Sequence, residues 1–149
     1  MVPEELAAST PLVVLDTNAV LDWLVFGDPR IQPVLDALET GRLHWVACAV
    51  MRQEVAHMLG HASLVRWSPD ATWALAHFDR LARIRPAPPA NPHARLRCTD
   101  ADDQVFVDLA LAEGASWLLT HDRALLKLAR RAAARGLRIL RPGDWVAQT

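Results

Sequence analysis

Short apolar runs alternate along the chain with longer segments in which apolar residues recur at helical spacing. The first run, Leu12–Leu15, is continuous and stops at Asp16, as expected for a strand buried on both faces. Shorter runs predict further strands at 44–47, 116–120 and 137–140. Helical spacing, with glycines, prolines and capping residues at the ends, predicts helices at 19–25, 31–40, 49–59, 71–84, 103–113 and 123–135.

Strands that alternate with helices predict an α/β protein with a short, mostly parallel sheet and helices on both faces. At 149 residues the chain fits one domain, 1–149, in which the proline-rich stretch 85–92 is expected to be a surface connection. Asn18 is the predicted cap of the first helix, and Val50, Val55 and Met58 form the predicted apolar stripe of the third.

Composition restricts the setting and the binding partners. The sequence is 52% apolar and 22% charged, as in soluble globular proteins, and its formal net charge of −1 gives no overall positive field for nucleic acid. Residues 1–10 lack a secretory signal, no apolar run approaches the ~20 residues of a membrane span, and Cys48 and Cys98 are expected to be free thiols. We therefore expect a cytoplasmic protein without membrane association, in which nucleic acid would need a local basic patch.

Four acidic residues occupy positions that such a sheet would bring together. Asp16 directly follows the first strand, and Asp122 follows the third, so both are expected at the carboxyl edge of the sheet. Asp103 begins the fifth helix, and Glu54 lies in the second turn of the third. Each acid also has a simpler interpretation, because Asp122 and the pair Asp100 and Asp103 suit helix caps.

Carboxylates that share one edge of a sheet need either shared protons or a cation. Two of them about 4 Å apart repel by about 4 kcal/mol at an effective dielectric constant of about 20. Sites built only from oxygen ligands suit hard ions such as Mg²⁺ or Mn²⁺, which keep bound water and accept phosphate oxygens. The spacing of the acids predicts a site for such an ion and does not by itself identify a reaction.

Two motifs resemble the PIN domain family. The segment 14–18, Val-Leu-Asp-Thr-Asn, resembles the opening motif of these domains, and the segments 98–110 and 114–122 resemble their closing half. The similarity covers about residues 12–146 and is strongest to the toxin components of toxin–antitoxin systems. It implies a three-layer α/β/α sandwich and metal-dependent ribonuclease chemistry.

The resemblance implies roles for individual residues. Asp16, Asp103 and Asp122 match the metal-binding acids of the family, with Asp102 as the alternative to Asp103, and Glu54 matches the helix-borne acid that completes the catalytic set. Metal-activated water would then hydrolyse an RNA phosphodiester.

Neighbouring polar residues would support this set. Asp100 is the expected auxiliary ligand, whereas Gln104 stands where the toxin subgroup often has an acid. Thr17, Asn18 and Thr120 are expected to hold the acids or a water in place. Contacts with substrate are predicted at Asn18, Thr120, Arg123 and Lys127. Arg123 and Lys127 begin a basic stripe that continues through Arg130, Arg131 and Arg135, which is either a solvated helix face or a contact for RNA phosphates.

Histidines and tryptophans offer other interpretations. Glu54, His57 and His61 share a helix face in a pattern that can bind zinc, but Met58 stands where a zinc-protease helix needs glutamate, so we expect ordinary histidines. The tryptophans in apolar segments are expected in the core: Trp23, Trp45, Trp73 and Trp117. Trp67, in a polar turn, is the candidate exposed aromatic residue.

The leading hypothesis is a toxin-type endoribonuclease that uses Mg²⁺ or Mn²⁺. The resemblance implies a cognate antitoxin protein and a homodimer. The alternative is a PIN fold that binds RNA or protein with weak or no catalysis. A phosphatase with an aspartyl nucleophile would need an acid at the position of Asn18, and a flap-type DNA nuclease usually needs a longer chain.

Overall fold

The computed structural model describes residues 10–89 and 96–147. Residues 1–9, which carry most of the segment searched for a secretory signal, lie outside this part, as does the end of the predicted 85–92 connection. The strands are Leu12–Leu15 (β1), His44–Ala47 (β2), Ala82–Ile84 (β3), Trp117–Leu119 (β4) and Arg138–Leu140 (β5). The α-helices are Thr17–Leu21 (α1), Gln32–Glu39 (α2), Ala49–Leu59 (α3), Ala71–Leu81 (α4), Gln104–Ala112 (α5), Arg123–Leu126 (α6) and Ala129–Ala133 (α7).

The five strands form one parallel sheet in the order β3-β2-β1-β4-β5. This confirms the predicted α/β fold class. The apolar β1 lies at the centre, with Val13 and Val14 fully buried. Strand order reverses at β1, which pairs with both β2 and β4, and such a reversal leaves a crevice beyond the carboxyl ends of the strands. Leu15 pairs with Leu119, so Asp16 and Thr120 leave the sheet side by side.

The first helix begins and ends differently from the prediction. Asp16, not Asn18, caps α1, because its backbone is extended and its Oδ1 accepts the Ala19 N–H at 2.8 Å. The helix then continues into a π-helical turn, Asp22–Phe26. Gly27 ends this turn in the left-handed conformation, with φ of 58°, which glycine adopts without steric cost.

Two predicted helices are shorter than their apolar pattern suggested. The helix expected over 71–84 ends at Leu81. Residues 82–84, predicted as its last turn, instead form β3, in which Ala82 pairs with Trp45 of β2. The helix expected over 123–135 is divided into α6 and α7. Between them Leu128 donates its N–H to Leu125 O in a tighter turn, which leaves the Leu128 side chain buried.

Some exposure predictions were wrong. Val50 is 49% exposed, because α3 buries the face that carries Met51, Val55 and Leu59. Of the predicted stripe, Val55 is buried as expected and Met58 is partly buried. Trp73, expected in the core, is 48% exposed. Trp67 is exposed as predicted, with its ring edge-on to Phe26 at 5.0 Å between centroids, and both cysteines are free thiols.

The outer strands of the sheet are short and carry arginine. β3 and β5 each have three residues, and Arg83 in β3 and Arg138 in β5 are exposed. Over residues 10–89 and 96–147, no helix has the length and apolar character needed to cross a membrane.

Candidate metal centre

Asp16 is the most deeply buried of the predicted acids. It is 4% exposed and follows β1 at the centre of the sheet. Its Oδ1 accepts the Ala19 N–H, and its Oδ2 accepts the hydroxyl of Thr120. Burial raises the pKa of Asp16, while the Thr120 and Ala19 hydrogen bonds oppose that rise. These donors therefore stabilise a carboxylate inside the protein.

Thr120 joins Asp16 to Asp122. It is fully buried at the end of β4, where its hydroxyl donates to Asp16 and accepts the Asp122 N–H at 2.9 Å. The side chain of Thr120 is therefore covered and holds two acids in place, and its contact with substrate stays a prediction. Asp122 also caps α6, with its Oδ1 accepting the Ala124 N–H at 2.7 Å.

Three carboxylates come together in front of these residues. Asp100, Asp103 and Asp122 can each present one oxygen such that all three lie within 4.8 Å of one another. Within the described residues, Asp103 Oδ2 is buried without a hydrogen-bond partner. An orphaned carboxylate oxygen in an oxygen-only group is what a hard divalent ion would satisfy. The residues present therefore fit Mg²⁺ or Mn²⁺.

This close group differs in one member from the predicted metal ligands. Asp100, expected to be auxiliary, lies with Asp103 and Asp122, whereas Asp16 lies outside the group. Asp16 is still near enough for its charge to raise the pKa of Asp103. Asp102 is exposed and outside the group as well, and its N–H donates to Asp100 Oδ1 at 3.0 Å. The geometry favours Asp103 over Asp102.

The side chain of Gln104 stabilises the backbone that precedes Asp100. Its Oε1 accepts the Cys98 N–H at 2.7 Å, and its Nε2 donates to Leu96 O and to Asp108, both at 2.9 Å. These bonds fasten the segment that leads into Asp100. The absence of an acid at this position therefore does not remove a member of the close group.

An open cleft of about 480 Å³ lies beside the acids. Glu54, exposed on α3, lines it together with Asn18, Asp102 and Asp103. The structure thus places Glu54 across a cleft from Asp103 rather than within the close group of acids. Val50 also lines this cleft, which accounts for its exposure.

Sequence reasoning missed a pair of residues next to these acids. His121 Nε2 lies 2.5 Å from Asp22 Oδ2, and both side chains are largely covered. The two residues are 99 positions apart, so no local pattern indicates that they meet.

The remaining candidates lie outside the acidic group. His57 and His61 are exposed, and within the described residues neither belongs to a group of three metal-binding side chains. Arg123, Lys127, Arg130, Arg131 and Arg135 are all exposed along α6, α7 and the turn that follows them.

The metal-free protein is expected to lose stability as the pH rises from about 4 to about 7. Burial first, and then the nearby carboxylate of Asp122, raises the pKa of Asp103 from 3.8 to about 7. In this range the folded state keeps a proton that the unfolded state releases, so the free energy of unfolding falls with increasing pH. Thermal unfolding in EDTA at about pH 5 and about pH 7.5 measures this loss.

The Asp103→Asn variant is the control, since it removes the titrating group. It should lose less stability over the same interval, while the contribution of Asp16, whose pKa is also raised, remains in both proteins. An equal loss in the two proteins would contradict the role assigned to Asp103.

Comparison with known proteins supports the fold and identifies the family. A search of curated proteins gives no match. A family model described as the PIN domain matches residues 12–124. The matched region contains β1 to β4 and all of the acids considered above. This match covers most of the sequence, and the chain therefore belongs to the PIN domain family, whose members are typically metal-dependent nucleases.

Proposed function

We propose that this protein is a metal-dependent endoribonuclease, the toxin component of a toxin–antitoxin system. The observation that supports this most directly is the close group Asp100, Asp103 and Asp122, with its orphaned buried oxygen, at the strand-order reversal of a PIN fold. A bound Mg²⁺ or Mn²⁺ would lower the pKa of its water and neutralise charge that develops on phosphoryl oxygens.

The residues of the chain divide the remaining work. Asp100, Asp103 and Asp122 would hold the ion. Asp16, whose carboxylate is fixed by hydrogen bonds from Ala19 and Thr120, would add negative charge near the ion without belonging to the close group. In the reaction, the oxygen of water bonds to phosphorus, one bridging P–O bond breaks, and the departing oxygen takes up a proton. The attacking water gives up one proton, to a carboxylate or to solvent, and the departing oxygen gains one, so the number of protons is unchanged over the hydrolysis.

The cleft beside the acids suits a single strand of RNA. Glu54 and Asn18 line its wall, and the exposed Val50 offers an apolar surface to a base or ribose. Arg123 directly follows Asp122, and Lys127 lies one turn further along, so both can meet phosphates that leave the cleft.

Cleavage of fluorescent single-stranded RNA, with and without Mn²⁺ or Mg²⁺, tests the proposal. We expect cleavage only when the metal is present, and none of a DNA strand of the same sequence. Binding of RNA without cleavage at any metal concentration would instead favour the binding module.

The toxin assignment, the antitoxin partner, the homodimer and the cytoplasmic location belong to the same proposal. The first three are supported by the resemblance of the opening and closing motifs to toxin components, and the cytoplasmic location by the two free cysteines. Expression of this protein in bacteria tests the assignment. We expect growth to stop, and co-expression of the product of the neighbouring gene to restore it. Normal growth during expression of a protein that cleaves RNA would contradict it.

Charge reversal at Arg123 is expected to weaken RNA binding and to reduce its salt dependence. Each lost phosphate contact lowers the slope of log K against log salt by about 0.7 for a single strand. Fluorescence anisotropy of labelled RNA in EDTA measures both quantities for Arg123→Glu.

Arg42→Glu is the matched control. Arg42 is also exposed, but it precedes β2 and therefore lies at the opposite edge of the parallel sheet. Equal effects of the two reversals would show that only net charge matters, and would remove Arg123 from the RNA-binding surface.

A further inference from the structure

We propose that Asp22 and His121 form a positioning pair that holds the loop 120–122 against α1 and thereby sets the arrangement of Asp16 and Asp122. This inference rests on the proposed metal-dependent function, and it concerns two residues outside the predicted metal ligands. Neither residue belongs to the close group of acids. Their effect on that group would pass through the loop.

The contact itself is short and sheltered. His121 Nε2 and Asp22 Oδ2 are 2.5 Å apart, and the side chains are 30% and 12% exposed, respectively. A histidine held by a carboxylate in a partly dry environment has a fixed ring orientation, because rotation of the ring would break the bond.

Two adjacent residues of the loop are bonded to the same short segment. Thr120 donates to Asp16 at the start of α1, and His121 contacts Asp22 at its end. Thr120 is also held in the sheet, because its N–H donates to Leu140 O at 2.9 Å, and the contact between His121 and Asp22 adds a side-chain anchor just before Asp122. Asp122 comes next, and its N–H is bonded to Thr120, so the orientation of the loop decides where its carboxylate lies.

Asp22 is itself held by an unusual piece of backbone. It begins the π-helical turn Asp22–Phe26, and its carbonyl oxygen accepts N–H groups from Gly27 and, at 2.9 Å, from Asp28. Turns of this kind are rare and occur frequently at functional sites. Both the side chain and the main chain of Asp22 are therefore fixed where His121 approaches.

The nearby charges agree with this arrangement. His121 is close enough to Asp16 and Asp28 to lower the pKa of both carboxyls. It therefore sits among several acidic groups, and its bond to Asp22 decides which of them it faces.

The competing explanation is that the pair only stabilises the fold, as other ion pairs do. Arg52 and Asp79 provide the comparison, because they join α3 to α4 through bonds of 2.7 and 2.8 Å. A stabilising pair would change the melting temperature alone. A positioning pair would also change the affinity for metal, even though it does not touch the ion.

The test is calorimetric titration of the full chain with Mn²⁺, together with thermal unfolding. We expect His121→Ala and Asp22→Ala each to weaken Mn²⁺ binding by about 10-fold or more, the usual effect of losing a partner behind a metal ligand. The double variant should be no weaker than either single one, because both remove the same bond. His121→Gln, whose amide can still donate to Asp22, should recover most of the affinity.

Asp79→Asn is the control and should keep wild-type affinity. Folded alanine variants with wild-type affinity would overturn the inference, as would losses that multiply in the double variant, or a His121→Gln variant as weak as His121→Ala. His121 is half-buried, so its alanine variant remains a test if Asp22→Ala fails to fold. A wild-type protein that binds Mn²⁺ without cleaving RNA would refute the proposed function alone, and one that binds no Mn²⁺ would refute both.

Discussion

Replacing Asp103 by asparagine is expected to abolish metal-dependent cleavage while stabilising the metal-free protein at neutral pH. Asp103 carries the orphaned buried oxygen, and burial together with neighbouring carboxylates raises its pKa to about 7. Its ionised form is therefore costly without a cation, and the neutral amide removes that cost. As a direct ligand it should matter at least as much as a supporting residue, so Mn²⁺ affinity and cleavage rate should each fall by at least about 100-fold.

Asp102→Asn is the matched control, one residue away. Asp102 is exposed and outside the close group, so this variant should keep its metal affinity and most of its activity. Calorimetry with Mn²⁺, RNA cleavage rates and thermal unfolding in EDTA measure the three effects. If Asp102→Asn lost its activity and Asp103→Asn retained it, Asp102 would be the metal ligand and Asp103 would not.

Replacing Asp16 by asparagine is expected to remove cleavage with little change in stability. Asparagine has nearly the same shape and can still accept the Ala19 N–H that caps α1, so the free energy of unfolding should change by less than about 2 kcal/mol. The negative charge behind the close group is lost, however, and the Thr120 hydroxyl must find another acceptor. We expect RNA cleavage under saturating Mn²⁺ to fall by about 100-fold or more.

Asp70→Asn provides the comparison for this variant. Asp70 caps α4 by accepting the Trp73 N–H at 3.0 Å, so the substitution makes the same chemical change at a helix start. It should leave cleavage unchanged. A folded Asp16→Asn protein with normal activity would show that Asp16 serves only as a cap.

The central strands and the third helix could be predicted from the sequence because their causes are local. Leu12–Leu15 is continuously apolar and stops at an acid, and α3 runs from Ala49 to Leu59 as its spacing and Gly60 predict. β3 could not be predicted, since its three residues continue the helical pattern of α4 and become a strand only by pairing with β2. The division of the last helix also depends on tertiary packing, through the burial of Leu128.

In the candidate site, too, some features follow from local sequence and others depend on tertiary structure. Asp16 and Asp122 follow strands, and their closeness in space follows from the parallel sheet. The membership of Asp100 depends on the short 3₁₀ turn Ala101–Asp103, whose conformation no spacing rule specifies. The contact between Asp22 and His121 depends on the whole fold, because it joins residues 99 positions apart.

The short outer strands described above also bear on how the protein behaves at high concentration. A sheet edge can pair with the edge of another molecule, and long, flat, apolar edges do so most readily. Here each edge offers only three residues, with Arg83 on one side and Arg138 on the other. Few intermolecular hydrogen bonds would form, and like charges would meet where identical edges approach. The two edges therefore oppose growth of the sheet from one molecule into the next, and with it the formation of fibrils.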